Sequence, residues 1–159
     1  MAMANNFDRM IELVNTFFDT RNDPDQISVT KEERAKLDAI HPATMSELAN
    51  EDGPIVWILL IPTTQAVMER FLKGVISEKQ LLEETNPGES YDAIYLCSAS
   101  VLPEFRRQGL AKKVGGDAIQ SIRKDHPIKA LYYWPFSDEG RELANAAAKN
   151  MGLPLFERK

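Results

Sequence analysis

The sequence predicts an α/β (α+β) domain of interspersed strands and helices, and two kinds of periodicity carry that prediction. Tyr91 to Val101 alternates, with Tyr95, Cys97, Ala99 and Val101 expected on one face and Ile94, Leu96, Ser98 and Ser100 on the other, until Pro103 stops the strand. Leu110, Val114, Ala118 and Ile122 then recur every fourth residue, with Ala111 and Ile119 beside them, forming one apolar helical stripe. Upstream, Ile55 to Ile61 is rich in β-formers and apolar on both sides, the pattern of a central strand covered on both faces.

The remaining elements follow in chain order. Phe7, Ile11, Val14, Phe17 and Phe18 keep helical spacing from about Asn5 to Asp19, and Asn22-Asp23-Pro24-Asp25 marks a turn. Thr30 with Glu33 forms a capping-box pattern for a short helix to about Ile40, broken by His41-Pro42. Asp52-Gly53-Pro54 leads into the apolar strand. Thr64 to Lys73 and Ser77 to Glu84 read as helices, the second capped through Ser77 and Gln80. Asn86-Pro87-Gly88 turns into the alternating strand. Beyond the striped helix come a strand, Ile128 to Trp134, and a last helix, Ser137 to Met151, ended by Gly152 and Pro154.

Composition sets the bounds. The chain has 159 residues, 43% hydrophobic and 27% charged, enough for one domain over 1–159 to close a core without metals or disulfides. Cys97 is the sole cysteine, so a reducing cytoplasm is the expected location and a packing role the expected role. Asp8, Arg9 and Glu12 interrupt the apolar residues of the N-terminal segment, unlike a signal peptide, and Ile55 to Ile61 is far too short to span a bilayer. The formal net charge of -5 argues against a nucleic-acid face and is compatible with a cationic amine substrate. His41 and His126 each precede a proline and share no ligand-like spacing with Cys97, so no metal is expected.

Between the alternating strand and the striped helix the sequence reads Val101-Leu102-Pro103-Glu104-Phe105-Arg106-Arg107-Gln108-Gly109-Leu110-Ala111. This loop opens a helix, where unpaired N–H groups and the peptide dipoles favour an anion. Gly109 removes the Cβ that would block close approach. Arg106, Arg107, Lys112 and Lys113 reverse the sign of an acidic chain locally, which suits a polyphosphate. Neither Gly-x-Gly-x-x-Gly nor Gly-x-x-x-x-Gly-Lys-Ser/Thr occurs. The bland alternative is a strand, a solvated basic turn and a helix.

The pattern Arg106-Arg107-Gln108-Gly109-Leu110-Ala111, with Val101-Leu102-Pro103 before it and Phe105 within it, resembles the acetyl-CoA signature of the GNAT N-acetyltransferase superfamily. The resemblance covers roughly Tyr91 to Leu153. It implies a GNAT-like acyl-CoA N-acyltransferase fold, a mixed twisted sheet flanked by helices, and direct transfer of an acetyl group from acetyl-CoA to the amine of an unidentified small molecule or peptide. It further implies cofactor binding by Ser100, Val101, Arg106, Arg107, Gln108, Gly109, Leu110, Ala111 and Lys112. In that family the cofactor strand splays from the next one, and a backbone N–H, here that of Val101, stabilises charge on the thioester oxygen.

The proton-transfer groups depart from the pattern. At the position of the family's glutamate base stands Tyr95, a candidate proton relay through water or a strand-packing residue. At the position of the asparagine after the next strand stands Ser137, a candidate hydrogen-bond partner for pantetheine or a helix N-cap. Ala148 replaces the tyrosine expected four residues before Gly152. The helical segment between Ile55–Ile61 and Tyr91–Val101 implies a front half of the sheet that is short or rearranged. These departures keep a second function class open, a noncatalytic CoA-binding regulatory or interaction module; a loop for another polyphosphate is a third. Gly115-Gly116 is explained by packing on the sheet or by room for adenine, and the Ala144, Ala146, Ala147 and Ala148 surface by pantetheine or by helix approach. One of Tyr132, Tyr133 and Trp134 is a candidate lining of the acceptor pocket. A homodimer is compatible with the sequence but not readable from it, and neither nucleic acid nor membrane is an expected partner.

Overall fold

The computed structural model describes residues 5–21, 31–135 and 138–158. Helices α1 (Asn6–Arg21) and α2 (Lys31–Ile40) lead into strands β1 (Met45–Asn50) and β2 (Gly53–Thr63). Helices α3 (Gln65–Leu72) and α4 (Glu78–Glu84) follow, then β3 (Ala93–Val101), a 3-10 turn at Pro103–Phe105 and α5 (Leu110–Asp125). The chain closes with β4 (Ala130–Tyr133), α6 (Asp138–Met151) and β5 (Leu155–Glu157). Thr30 and the Asn22–Asp25 turn lie outside the described residues, as do the side chains of Val14, Phe17 and Phe18.

Local chemistry explains several boundaries. Thr64 accepts a hydrogen bond from the Val67 N–H at 3.3 Å and so starts α3. Ser77 and Gln80 satisfy each other's backbone N–H groups reciprocally, at 2.9 and 3.1 Å, and start α4. Gly152 takes the left-handed conformation, φ +66°, that ends α6.

The strands lie in the order β1-β2-β3-β4-β5. The pairs β1/β2 and β2/β3 are antiparallel, while β3/β4 and β4/β5 are parallel. The helical segment expected between the apolar strand and the alternating strand is present as α3 and α4, with two strands before it, and β2 and β3 still pair from Val56/Val101 to Thr63/Ala93 with one break in register. The two helices form a crossover that returns the chain beside its own strand. β2 is buried along almost its whole length, as its two-sided apolar run requires.

Pairing register also overturns the expected faces of β3. Leu59 pairs with Ser98 and Leu60 with Leu96, which leaves Cys97 as the extra residue of a β-bulge. A bulge shifts the alternation, because directly paired residues share a face. Tyr95, opposite Ile61, faces α3, where its ring meets Phe71 at 4.8 Å. Ala99 and Val101, opposite Ile58 and Val56, face the other way, towards α5. Tyr95 therefore does not share a face with Ala99 and Val101. On the α5 side Ala118, Ile119 and Ile122 are buried against the sheet. On the opposite side Phe71, Leu81, Tyr95 and Tyr132 are buried together.

Candidate functional site

The site begins where two strands part. β3 pairs with β4 over Ala93/Ala130, Ile94/Leu131 and Tyr95/Tyr132, and the pairing stops there. β3 nevertheless continues to Val101, still held on its other side by β2. The bulge at Cys97 falls just past the last pair, and the added twist of a bulge re-aims a strand at such a point. A cavity of about 730 Å³ opens in the gap, within the usual size of a ligand site. Leu96 to Val101 line one wall, Tyr133, Trp134 and Pro135 another, and residues of α5 and α6 complete it.

Backbone groups aim into this cavity. Leu102 N–H donates to the Ile55 carbonyl at 3.0 Å, so by the alternation of an antiparallel ladder Ser100 also bonds to β2, while Ala99 and Val101 present their groups to the other side. Consistent with that, the Val101 carbonyl accepts from Arg106 Nε at 3.0 Å, and its N–H leaves the strand on the same side.

The mouth of the cavity is the loop before α5. Arg107 is the positive-φ residue other than glycine among the described residues, at φ +64°, and Gly109 follows at +75°. Left-handed residues alternating with ordinary ones turn successive N–H groups inward, the concavity that holds anions. Among the described residues no acceptor lies on the backbone N–H groups of Gln108 through Lys112, whereas Lys113 N–H bonds to the Gly109 carbonyl at 3.0 Å. A Cβ built at Gly109 meets nothing within 4 Å, so the approach is open. The acidic neighbour Glu104 is neutralised: Arg9 of α1 donates to it at 2.6 Å, and this bond holds its carboxyl below the usual carboxylate range.

The residues marked by sequence mostly converge. Ser100, Val101, Arg106, Arg107, Gly109, Leu110, Ala111 and Lys112 all line the cavity. Gln108 is the exception; its Nε2 donates to the Glu104 carbonyl at 3.4 Å, across the outside of the loop. Tyr95 is 1% exposed, hydrogen-bonds the buried Glu78 and stacks in the aromatic cluster instead of on the cavity wall. Ser137 lies outside the described residues.

Other readings sort themselves by position. Gly115 and Gly116 line the cavity, and packing does not require Gly115, since a Cβ there meets nothing within 4 Å. At Gly116 a Cβ would meet Met151 Cε at 3.6 Å, an ordinary contact. Ala144 and Ala147 face the cavity, while Ala148 is buried in the core. Of the three β4 aromatics, Tyr133 and Trp134 reach the cavity. Tyr132 is buried, shares a 2.7 Å hydrogen bond with Thr63, and has its phenol pushed up by burial.

Several lining residues carry no mark in the sequence, Pro135, Gly140 and Leu143 among them. Glu139, in the first turn of α6, lines the wall, and Leu13 of α1 closes the far side. No local pattern marks Glu139, which comes to the wall because α6 starts shortly after β4. Among the described residues there is no cluster of His, Cys, Asp and Glu that could hold a metal, and no helix long and apolar enough to cross a membrane. No family model matches the chain, and no curated protein and no solved structure matches it either.

Proposed function

We propose that the chain binds an acyl-CoA, with the diphosphate at the Arg107–Lys112 turn and the pantetheine arm in the gap between β3 and β4, and that it transfers the acyl group to an amine. The observation that carries this reading is the parting of β3 from β4 after Tyr95 beside a loop of unpaired N–H groups. Backbone polar groups left without partners are costly unless something satisfies them, and the amides of a pantetheine arm are of the right kind and reach. Arg106, Arg107 and Lys112 at the mouth suit the phosphates. The Val101 N–H, on the side of β3 turned away from β2, would stabilise negative charge developing on a thioester oxygen held in the gap. The GNAT-like fold and a cytoplasmic setting belong to the same proposal.

A second reading is favoured by one observation. Tyr95 is sealed in the core and Ala148 brings no hydroxyl, so neither side chain position that the resemblance implies for proton transfer supplies a group to the cavity. A noncatalytic CoA-binding module would need none. A thiol-release screen of acetyl-CoA against a broad set of amines separates the two: turnover above the buffer rate supports the transferase, and tight CoA binding with no turnover supports the module. A loop for some other polyphosphate is tested by comparing thermal stabilisation by CoA with that by ADP, since only the proposed reading gives the pantetheine arm an advantage.

A further inference from the structure

The acceptor of such a transfer is unnamed, and one charged group on the cavity wall points to its class. The described lining contains three cations, Arg106, Arg107 and Lys112, all belonging to the loop and the start of α5. It contains one carboxylate, Glu139, which is carried by a different element, α6. Glu139 makes no hydrogen bond or ion pair with the described residues, although nearby carboxylates such as Glu157 are engaged, by Arg141 at 2.9 Å. Tyr133, the phenol on the wall, donates to Glu157 at 3.2 Å and is thereby occupied. The cavity is thus basic at its loop and acidic at α6. A cation entering it is repelled from the first and drawn to the second.

Resting on the acyl-CoA reading, we infer that Glu139 binds the ammonium group of a cationic primary alkylamine and accepts the proton that this group must lose. Such an amine titrates near ~10, so at neutral pH it arrives as a cation and cannot attack until a proton leaves. Glu139 takes that proton and releases it to water. The freed nitrogen lone pair then forms the C–N bond to the thioester carbonyl carbon, the C–S bond breaks with its electron pair on sulfur, and the second nitrogen proton passes to that sulfur. The products are an amide, a thiol and one proton in solution.

The test uses the full chain with putrescine as the probe amine, and Glu139→Gln and Glu139→Asp as variants. CoA is titrated first into all three proteins by calorimetry, then putrescine into the CoA-saturated proteins, and thiol release is followed with acetyl-CoA and putrescine. Expected are equal CoA affinities in the three proteins, and putrescine binding by the wild type that weakens about tenfold or more in Glu139→Gln, with partial rescue in Glu139→Asp. The kcat/KM for putrescine should fall by at least the same factor in Glu139→Gln. Wild-type protein that binds CoA but not putrescine, or a Glu139→Gln variant equal to wild type in binding or in kcat/KM, overturns the role of Glu139 and leaves the cofactor reading standing. Failure of CoA to bind the wild type overturns the cofactor reading, and this inference with it. Glu139 is exposed at a helix start, and circular dichroism of each variant checks that the fold is kept.

Discussion

Arg106 Nε donates to the carbonyl oxygen of Val101 at 3.0 Å, tying the basic loop to the last residue of β3. The bond couples the two halves of the cavity, since the same arginine that stands at the mouth fixes the end of the strand whose edge lines the wall. Arg106→Ala should weaken CoA binding by about 1.5 to 3 kcal/mol, the worth of a charge-assisted contact. Arg106→Lys should recover only part of it, because an ammonium cannot hold the carbonyl and present a planar fork together. Equal affinity of Arg106→Ala and wild type in calorimetry counts against a phosphate role for this loop.

Arg107 combines a charge with an unfavourable backbone, so glycine separates the two. At φ +64° the arginine stores left-handed strain of about 1 kcal/mol, which Arg107→Gly relieves. Denaturant unfolding should find the variant no less stable than wild type, while CoA affinity drops about ten- to a hundredfold. A variant that loses stability and keeps affinity would reverse this assignment.

At Gly109 the obstacle to substitution is conformational, given φ +75° and open space around the missing Cβ. Gly109→Ala should cost about 1 to 2 kcal/mol of stability. Gly109→Glu adds bulk and negative charge where an anion would approach, and should abolish measurable CoA binding in a folded protein. Near-normal binding by a folded Gly109→Glu variant contradicts the loop's role.

Tyr95→Phe distinguishes packing from catalysis. Tyr95 is 1% exposed, and its hydroxyl bonds the fully buried Glu78, so removing the hydroxyl should cost about 1 to 3 kcal/mol of stability. CoA affinity and any turnover should be unchanged at a temperature where the variant is folded. Selective loss of turnover at unchanged stability would return Tyr95 to the chemistry.

Acid should loosen the junction between α2 and the end of α5. His41 Nε2 lies 2.7 Å from Asp125 Oδ2, and the His41 and His126 rings are 5.9 Å apart. Burial first, and then His41, hold the His126 imidazole below its ordinary value of 6.5, with Asp125 opposing. Its Nδ1 accepts from the Tyr91 N–H at 3.4 Å, a bond that a proton there would remove. The folded state thus binds this proton less readily than the unfolded chain. The stability contribution is whole above about pH 6.5 and is lost as pH falls from there through the lowered folded-state value. His126→Gln should flatten that dependence in denaturant unfolding measured across the range, and an unchanged slope excludes His126 as its source.

What sequence made legible was set by local chemistry. Thr64 and Ser77 carry their own capping signals, and Ile55–Ile61 can satisfy its apolar sides only as a central strand. The loop from Val101 to Ala111 was legible for the same reason, since its glycine and charges act within a few residues. β1, Met45–Asn50, went unread because Ser-Glu-Leu-Ala-Asn has weak strand propensity and becomes a strand by pairing with β2 at the sheet edge. β5 is likewise created by its partner, β4. The faces of β3 were misread at Cys97, because a bulge is fixed by the opposing strand and leaves no mark in the alternating residues. Glu139 reaches the cavity through the placement of α6, which no local pattern reports.

The most direct test is calorimetric titration of the folded chain with CoA and, separately, with ADP. Saturable CoA binding is expected, clearly tighter than that of ADP, weakened in Arg107→Gly and absent in Gly109→Glu. Absence of CoA binding, or ADP binding as tightly as CoA, would contradict the claim that the gap between β3 and β4 holds an acyl-CoA arm.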